Sequence, residues 1–167
     1  MDKTLRKTPP LSPETTFNRL AALCAASEHC KHDLAVKMEG WGLMPEQMQE
    51  VISQLEKERY VDDLRYARAY ARDKVRFARW GKRKIQMELT FKQIHSDIID
   101  EALNSIPHEE YEEALNSVIE GKRRQVKGRN DYERDMKILR HACSKGFEPH
   151  LVMEQLKTEG LPEEDDD

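Results

Sequence analysis

The chain has 167 residues, of which 38% are hydrophobic and 36% are charged, and its formal net charge is -4. This composition offers too little apolar material for one thick core and favours a thin, elongated helical protein. We find no apolar run near the roughly 20 residues of a membrane-spanning helix and no secretory signal. The three cysteines lack disulfide-type spacing, so we expect reduced thiols, a cytoplasmic location and no membrane association.

Apolar periodicity and helix-capping residues predict an all-α chain of nine helices. Ala, Leu, Glu, Lys, Arg, Gln and Met dominate the composition, and these residues favour helices. The predicted ranges are approximately 13–26, 28–39, 45–58, 62–79, 82–91, 97–105, 108–126, 131–144 and 149–158. The residues expected to act as N-caps are Ser12, Ser27, Asp62, Ser96 and Asn130.

Taken in threes, the predicted helices form three tandem three-helix repeats. The divisions are a disordered N-terminus over 1–10, repeats over 11–58, 59–106 and 107–160, and an acidic tail over 161–167. Repeats of this size bury too little surface to be stable alone. We therefore expect them to pack on their neighbours in an elongated, curved array.

The turn between the second and third helices shows the similarity of the repeats. The matching residues at equal spacing are Ile94, Ile98 and Leu103 in the middle repeat and Phe147, Leu151 and Leu156 in the third. Glycine is expected in this turn because it ends a helix in the left-handed conformation. The middle repeat has Gln93 there, so its turn is expected to be strained or different.

The helix predicted from Asp63 to Arg79 carries a row of arginines on one side. At about 100° per residue they fall within an arc of roughly 80°. We call this row the arginine ladder: Arg65, Arg68, Arg72, Arg76 and Arg79. A broad apolar face that includes Tyr66, Tyr70 and Phe77 is expected to be buried. Gly81 is expected to end the helix, and a second basic group opens the next one: Lys82, Arg83 and Lys84.

The charges of the chain are strongly segregated. Residues 64–92 contain ten Lys or Arg against two Asp or Glu, and residues 121–145 contain nine against three. Residues 96–113 contain seven acidic residues and no Lys or Arg. Since the local field governs association, the net charge does not exclude an anionic partner. The arginines of the ladder are expected to repel one another unless a polyanion or an acidic protein surface meets them, and a solvated face remains the alternative.

Three stretches in the middle of the chain resemble the RecX family of bacterial RecA regulators: YVDDLRYARAYARDKVR, RWGKRKIQMEL and FKQIHSDIIDEAL. The residues that match the family pattern are Tyr60, Val61, Asp62, Asp63, Tyr66, Ala67, Gly81, Lys84, Ile85, Glu88, Leu89, Lys92 and Ile94. The departure is Gln93, where the family usually has glycine. The resemblance extends over about residues 15–160.

The resemblance implies an all-α protein of tandem three-helix repeats with a basic concave side. It also implies a regulator without enzymatic activity or a cofactor. Such a protein binds RecA and its filament on single-stranded DNA, and inhibits filament growth, ATPase and strand exchange. We expect this chain to do so as a monomer.

The two basic regions are the expected partner-binding surface for RecA or DNA phosphate. The first consists of the arginine ladder with Lys82, Arg83 and Lys84. The second, which we call the third-repeat patch, consists of Lys122, Arg123, Arg124, Lys127 and Arg129. An alternative is a helical protein that binds DNA directly through its basic helix, without RecA.

Other signals in the sequence are weaker. His29, Cys30 and His32 do not converge on one ion when placed on a helix, so no metal site is expected. No catalytic motif is found, which argues against an enzyme. Tyr66 and Tyr70 are expected to pack in the core rather than to stack on bases. The acidic tail is either a solvated terminus or a competitor for the basic face.

Overall fold

The structure is a computed structural model that describes residues 8–158. Within this range it contains nine α-helices and no β-strand, which confirms the all-α prediction. In chain order the helices are α1 (Pro13–Ala26), α2 (Lys31–Gly40), α3 (Pro45–Lys57), α4 (Asp63–Asp73), α5 (Lys82–Phe91), α6 (Ser96–Asn104), α7 (His108–Gln125), α8 (Asp131–Ser144) and α9 (Pro149–Thr158). None of them is long and apolar enough to cross a membrane. The acidic tail and most of the N-terminus predicted to be disordered lie outside the described residues.

Two hydrophobic cores hold the helices together. The first belongs to α1, α2 and α3 and the residues that join them, and its largest fully buried side chains are Leu20, Leu34, Met38 and Leu55. The second runs without interruption from α4 to α9, and its largest are Ile85, Leu89, Ile119, Ile138 and Phe147. The six helices that follow Asp62 therefore share one core. The residue bounds of the three repeats stay a prediction.

Local capping contacts fix several helix starts as predicted. The Ser12 hydroxyl accepts a hydrogen bond from the Thr15 N–H at 3.1 Å, and Pro13 opens α1. The Asn130 side chain accepts one from the Glu133 N–H at 2.8 Å at the start of α8. Each contact spans three residues and satisfies one of the free N–H groups of the first helical turn.

Two of the predicted caps are wrong. Ser27 lies in extended backbone after α1, and α2 begins only at Lys31. The Lys31 N–H donates instead to Asp63 Oδ1 at 2.9 Å, so a carboxylate 32 positions later in the chain satisfies it. At α6 the N-cap is His95 rather than Ser96, and its Nδ1 accepts from the Asp97 N–H at 3.2 Å.

The helix predicted to run to Arg79 ends differently. After α4, Lys74–Ala78 form one π-helical turn, and Arg79 adopts a left-handed conformation with φ 55°. The wider turn rotates the side chains that follow it. Phe77 is consequently 80% exposed, so the prediction that it is buried is wrong. Gly81 does not end this helix but precedes α5 in extended backbone.

The turn between the second and third helices is left-handed in all three repeats. The left-handed residue is Gly42 in the first repeat (φ 84°), Gln93 in the middle repeat (φ 56°) and Gly146 in the third (φ 97°). The prediction of a strained turn at Gln93 is thereby confirmed, because a side chain at positive φ approaches the following carbonyl oxygen.

Replacing Gln93 with glycine should raise the free energy of unfolding by about 0.5–1 kcal/mol, because relief of the left-handed strain exceeds the entropy cost of glycine. Urea denaturation measures this change. Gln86→Gly, at an exposed position inside α5, is the matched control and should lower stability by about 1 kcal/mol. A loss of stability in Gln93→Gly comparable to that of the control would contradict the strain at this turn.

Candidate partner-binding surface

The arginine ladder begins with the most heavily engaged side chain, that of Arg65. Its Nε lies 2.5 Å from Glu28 Oε1, and this hydrogen bond raises the pKa of the guanidinium. The same guanidinium donates to the carbonyl oxygens of Arg59 and Tyr60 at 3.3 Å. Arg65 therefore ties the start of α4 to the segment between α1 and α2.

The next three arginines of the ladder meet acidic residues of α6 and α7. The Arg68 guanidinium lies 2.6 Å from Glu101 Oε1, and that of Arg72 lies 2.8 Å from Glu110 Oε1. Arg76 approaches the same Glu110 at 3.9 Å. The hydrogen bond from Arg72 lowers the pKa of Glu110.

These pairs correct the expectation that the ladder would be unbalanced without an external partner. The counter-charges come from the acidic stretch 96–113, which folds back beside α4. Half of each side chain nevertheless stays exposed, with values of 48% for Arg68, 52% for Arg72 and 50% for Arg76. Ion pairs this exposed contribute little to stability, because water and salt screen them, so an anionic partner can compete for the arginines.

Aromatic rings contact the lysines on both sides of Gly81, which are Lys74, Lys82 and Lys84. The Lys74 and Lys84 ammonium groups lie 4.6 and 4.5 Å from the centre of the Trp80 ring. The Lys82 ammonium lies 5.0 Å from the centre of the Tyr111 ring. The backbone N–H of Lys82 donates a hydrogen bond to the Tyr111 hydroxyl at 3.0 Å. Cation–π contacts of this kind position the stems of lysines while leaving their charge accessible.

A close backbone contact joins the start of α5 to the turn before α9. The Gly81 N–H donates to the carbonyl oxygen of Lys145 at 2.8 Å, and the Arg83 N–H donates to that of Gly146 at 3.0 Å. A Cβ atom on Gly81 would lie 2.2 Å from the backbone of Gly146 and Phe147. This junction has no room for a side chain, and it fixes the third repeat against the middle one.

The third-repeat patch lies at the end of α7 and in the loop that follows. Its members are Lys122, Arg123 and Arg124 in the last turn and Lys127 and Arg129 beyond it. The Lys127 carbonyl accepts a hydrogen bond from the Lys137 ammonium at 2.6 Å. Arg140 and His141 of α8 line the same surface, as does Lys137. The sequence interpretation missed these three residues, although the charge of residues 121–145 already included two of them.

Most of the residues matched to the family pattern have structural roles. Ala67, Ile85 and Leu89 are fully buried in the second core. Asp62 caps α4 by accepting from the Arg65 N–H at 3.0 Å. Tyr66 is also buried, as predicted, and its burial raises its pKa to about 12. The pattern therefore specifies how the middle repeat packs more than what it binds.

A second ion pair connects the first and middle repeats. The Lys92 ammonium lies 2.9 Å from Asp33 Oδ2 of α2 and 5.9 Å from the centre of the Tyr66 ring. Burial opposes the charge of Lys92, but the hydrogen bond that its ammonium donates to Asp33, together with the charge of Asp33 and the contact with Tyr66, raises the pKa of Lys92. In residues 8–158, no cluster of three or more His, Cys, Asp or Glu is arranged to hold a metal ion.

The fold and this surface define an all-helical array whose basic faces lie on α4, α5, α7 and α8. Residues 62–103 match the family model described as RecX, second three-helix domain. The chain is 27% identical over 140 residues to the regulatory protein RecX of Prosthecochloris aestuarii, covering 84% of this chain and 90% of that protein. It is 32% identical over 128 residues to the regulatory protein RecX of Lactobacillus johnsonii, covering 75% of this chain and 46% of that protein. These matches confirm the resemblance of the chain to the RecX family of regulatory proteins.

Two crystal structures of RecX proteins share the fold. One, of a regulatory protein RecX, superposes with a TM-score of 0.78 at 21% identity, covering 87% of this chain and 71% of that one. The other, RecX from Lactobacillus salivarius, superposes with a TM-score of 0.77 at 17% identity, covering 87% and 97%. The chain spans most of some relatives and less than half the length of others.

Proposed function

We propose that the chain is a cytoplasmic, non-enzymatic regulator that binds the RecA recombinase and the filament that RecA forms on single-stranded DNA. In this proposal it acts as a monomer, without a cofactor, and inhibits filament growth, ATPase and strand exchange. The observation that carries the proposal is the similarity to regulatory RecX proteins over 84% of the chain. The inhibitory action itself is inferred from the family.

The proposed contact surface combines the arginine ladder, the second basic group (Lys82, Arg83 and Lys84) and the third-repeat patch. A filament of a recombinase on DNA offers acidic protein surface and phosphate together. Guanidinium groups bind carboxylates and phosphates through charge-assisted, bidentate hydrogen bonds. Because the arginines of the ladder are half exposed, they can exchange an intramolecular carboxylate for one on the partner.

This exchange predicts a modest and salt-sensitive contribution from each arginine. The partner must displace Glu101 or Glu110, so the net gain per contact is the difference between two similar ion pairs. Many such contacts acting together are needed for tight binding. The rigid junction at Gly81 supports this, since it holds the ladder and the third-repeat patch in one fixed arrangement.

The alternative function, direct DNA binding without RecA, is favoured by the cations around the loop that follows α7. Fluorescence anisotropy on a labelled single-stranded oligonucleotide, bare or coated with RecA, separates the two functions. The proposed regulator should bind the RecA-coated strand more tightly than the bare strand at physiological salt. Equal affinity for both, with the same steep dependence on salt, would favour direct DNA binding.

A further inference from the structure

A cleft between the end of α7 and the second half of α8 concentrates positive charge. Its basic lining residues are Lys122, Lys127, Lys137, Arg140 and His141. Gln125 and Val126 complete the lining, and no acidic side chain from the described part of the chain takes part in it. We call it the α7–α8 cleft.

The cations of this cleft differ from the arginine ladder in their pairing. Among residues 8–158, neither Lys122 nor Arg140 has a carboxylate within 4.0 Å, whereas four arginines of the ladder do. Lys137 has only a distant carboxylate, that of Glu133 at 3.9 Å. The charge on α4 is therefore largely compensated inside the molecule, while the charge of the cleft is available to a ligand.

The shape of the cleft is also fixed by contacts within the protein. The Lys137 ammonium donates to the Lys127 carbonyl at 2.6 Å, which fixes the loop after α7 against α8. The backbone turns out of the helix at Val126, which is extended and packs on the second core. A ligand would thus meet a preformed group of cations, and little ordering entropy would oppose its binding.

A purely structural role accounts for only part of this arrangement. Lys122 lies in the last turn of α7, where a cation interacts favourably with the helix dipole. Lys137 lies about two turns before the end of α8, beyond the reach of that effect. The charges also destabilise one another: burial and the nearby Lys122 and Lys145 hold the pKa of His141 below its usual value. Such mutual repulsion is relieved when an anion binds.

We propose that the α7–α8 cleft binds the backbone phosphates of single-stranded DNA directly, and that the arginine ladder is left for acidic protein surface. A DNA strand brings one negative charge per nucleotide to several unpaired cations at once. A flexible single strand can follow a shallow cleft of this kind, and proteins commonly bind the backbone of single strands along a positively charged groove. The choice of DNA rests on the proposed function, but the binding step needs no RecA.

The test uses the full chain and a fluorescein-labelled oligothymidylate, without RecA, over a range of salt concentrations. Lys122→Gln with Arg140→Gln should weaken binding by about tenfold or more at low salt and reduce the slope of log K against log salt by about 1.4, for two lost phosphate contacts. Lys37→Gln with Lys57→Gln removes the same charge from two exposed residues of the first repeat and should change neither quantity markedly. We call the Lys122→Gln and Arg140→Gln double substitution the cleft variant. The proposal is overturned if the cleft variant keeps the affinity and salt slope of the wild type, or if the control loses as much affinity. It is also overturned if the wild type does not bind the oligonucleotide.

Two further measurements test whether the bound strand lies in the cleft and whether it must be single-stranded. Saturating oligothymidylate should raise the pKa of His141, followed by NMR of its ring protons, in the wild type but not in the cleft variant. Duplex DNA bound as tightly as the single strand would overturn the preference for single strands. Inhibition of RecA ATPase by the cleft variant is measured separately, so loss of DNA binding with retained inhibition leaves the proposed function standing.

Discussion

Replacing Gly81 with alanine should destabilise the chain by about 3 kcal/mol, the upper range for forcing atoms into a packed site. The added Cβ would lie 2.2 Å from backbone atoms of Gly146 and Phe147, which cannot rotate away as a side chain would. The start of α5 must therefore separate from the turn before α9, and two backbone hydrogen bonds are lost with it. Urea denaturation followed by circular dichroism measures the loss.

Gly121→Ala is the matched control for this substitution. A Cβ on Gly121 would meet nothing within 4 Å, and the residue lies inside α7. Alanine there should be neutral or stabilise the chain by up to about 1 kcal/mol, because it favours a helix over glycine. Equal stability of the two variants would show that the junction between the repeats is not tightly packed.

Reversing Arg68, Arg72 and Arg76 to glutamate should abolish inhibition of RecA without unfolding the protein. Three arginines become three carboxylates, which repel the acidic protein surface that the ladder is proposed to bind. The lost ion pairs are half exposed, so the cost in stability is small. RecA ATPase on single-stranded DNA measures inhibition, and circular dichroism checks the fold. Inhibition at the wild-type level by the folded variant would remove the ladder from the contact surface.

Glu110→Gln provides the complementary control. It removes the carboxylate that pairs with Arg72 and Arg76 but leaves both arginines in place. If the ladder binds a partner, freeing them should strengthen inhibition at low salt. If the pairs serve only the fold, the variant loses a little stability and inhibits as the wild type does.

The sequence predicted the features that depend on neighbouring residues. The Ser12 and Asn130 caps span three positions, and periodicity placed the nine helices close to their observed ranges. The left-handed strain at Gln93 followed from aligning its turn with that of a glycine in another repeat. The family resemblance then identified the class of protein.

Features that depend on distant residues escaped prediction. Periodicity alone does not pair Arg68 with Glu101 or Arg72 with Glu110, because these partners lie 33 and 38 positions apart and meet only when α6 and α7 pack beside α4. The π-helical turn after α4 is held in part by Lys145, whose ammonium donates to the Ala78 carbonyl at 3.0 Å from 67 positions away. Both errors have one cause, since the tertiary partners override a regular helical pattern.

The α7–α8 cleft illustrates the same limit at the functional surface. The charge count drew attention to residues 121–145, but it did not show which cations would be neutralised by folding. Only the structure separates the compensated arginines of α4 from Lys122 and Arg140. The distribution of unpaired charge therefore moves the expected phosphate contact from the middle repeat to the third.

The ATPase activity of RecA on single-stranded DNA, measured with increasing amounts of this protein, tests the central claim most directly. The proposed regulator should lower the rate progressively as its concentration rises, because it would limit the length of active filament. An unchanged rate at a several-fold excess of the folded protein over RecA would contradict the proposed function.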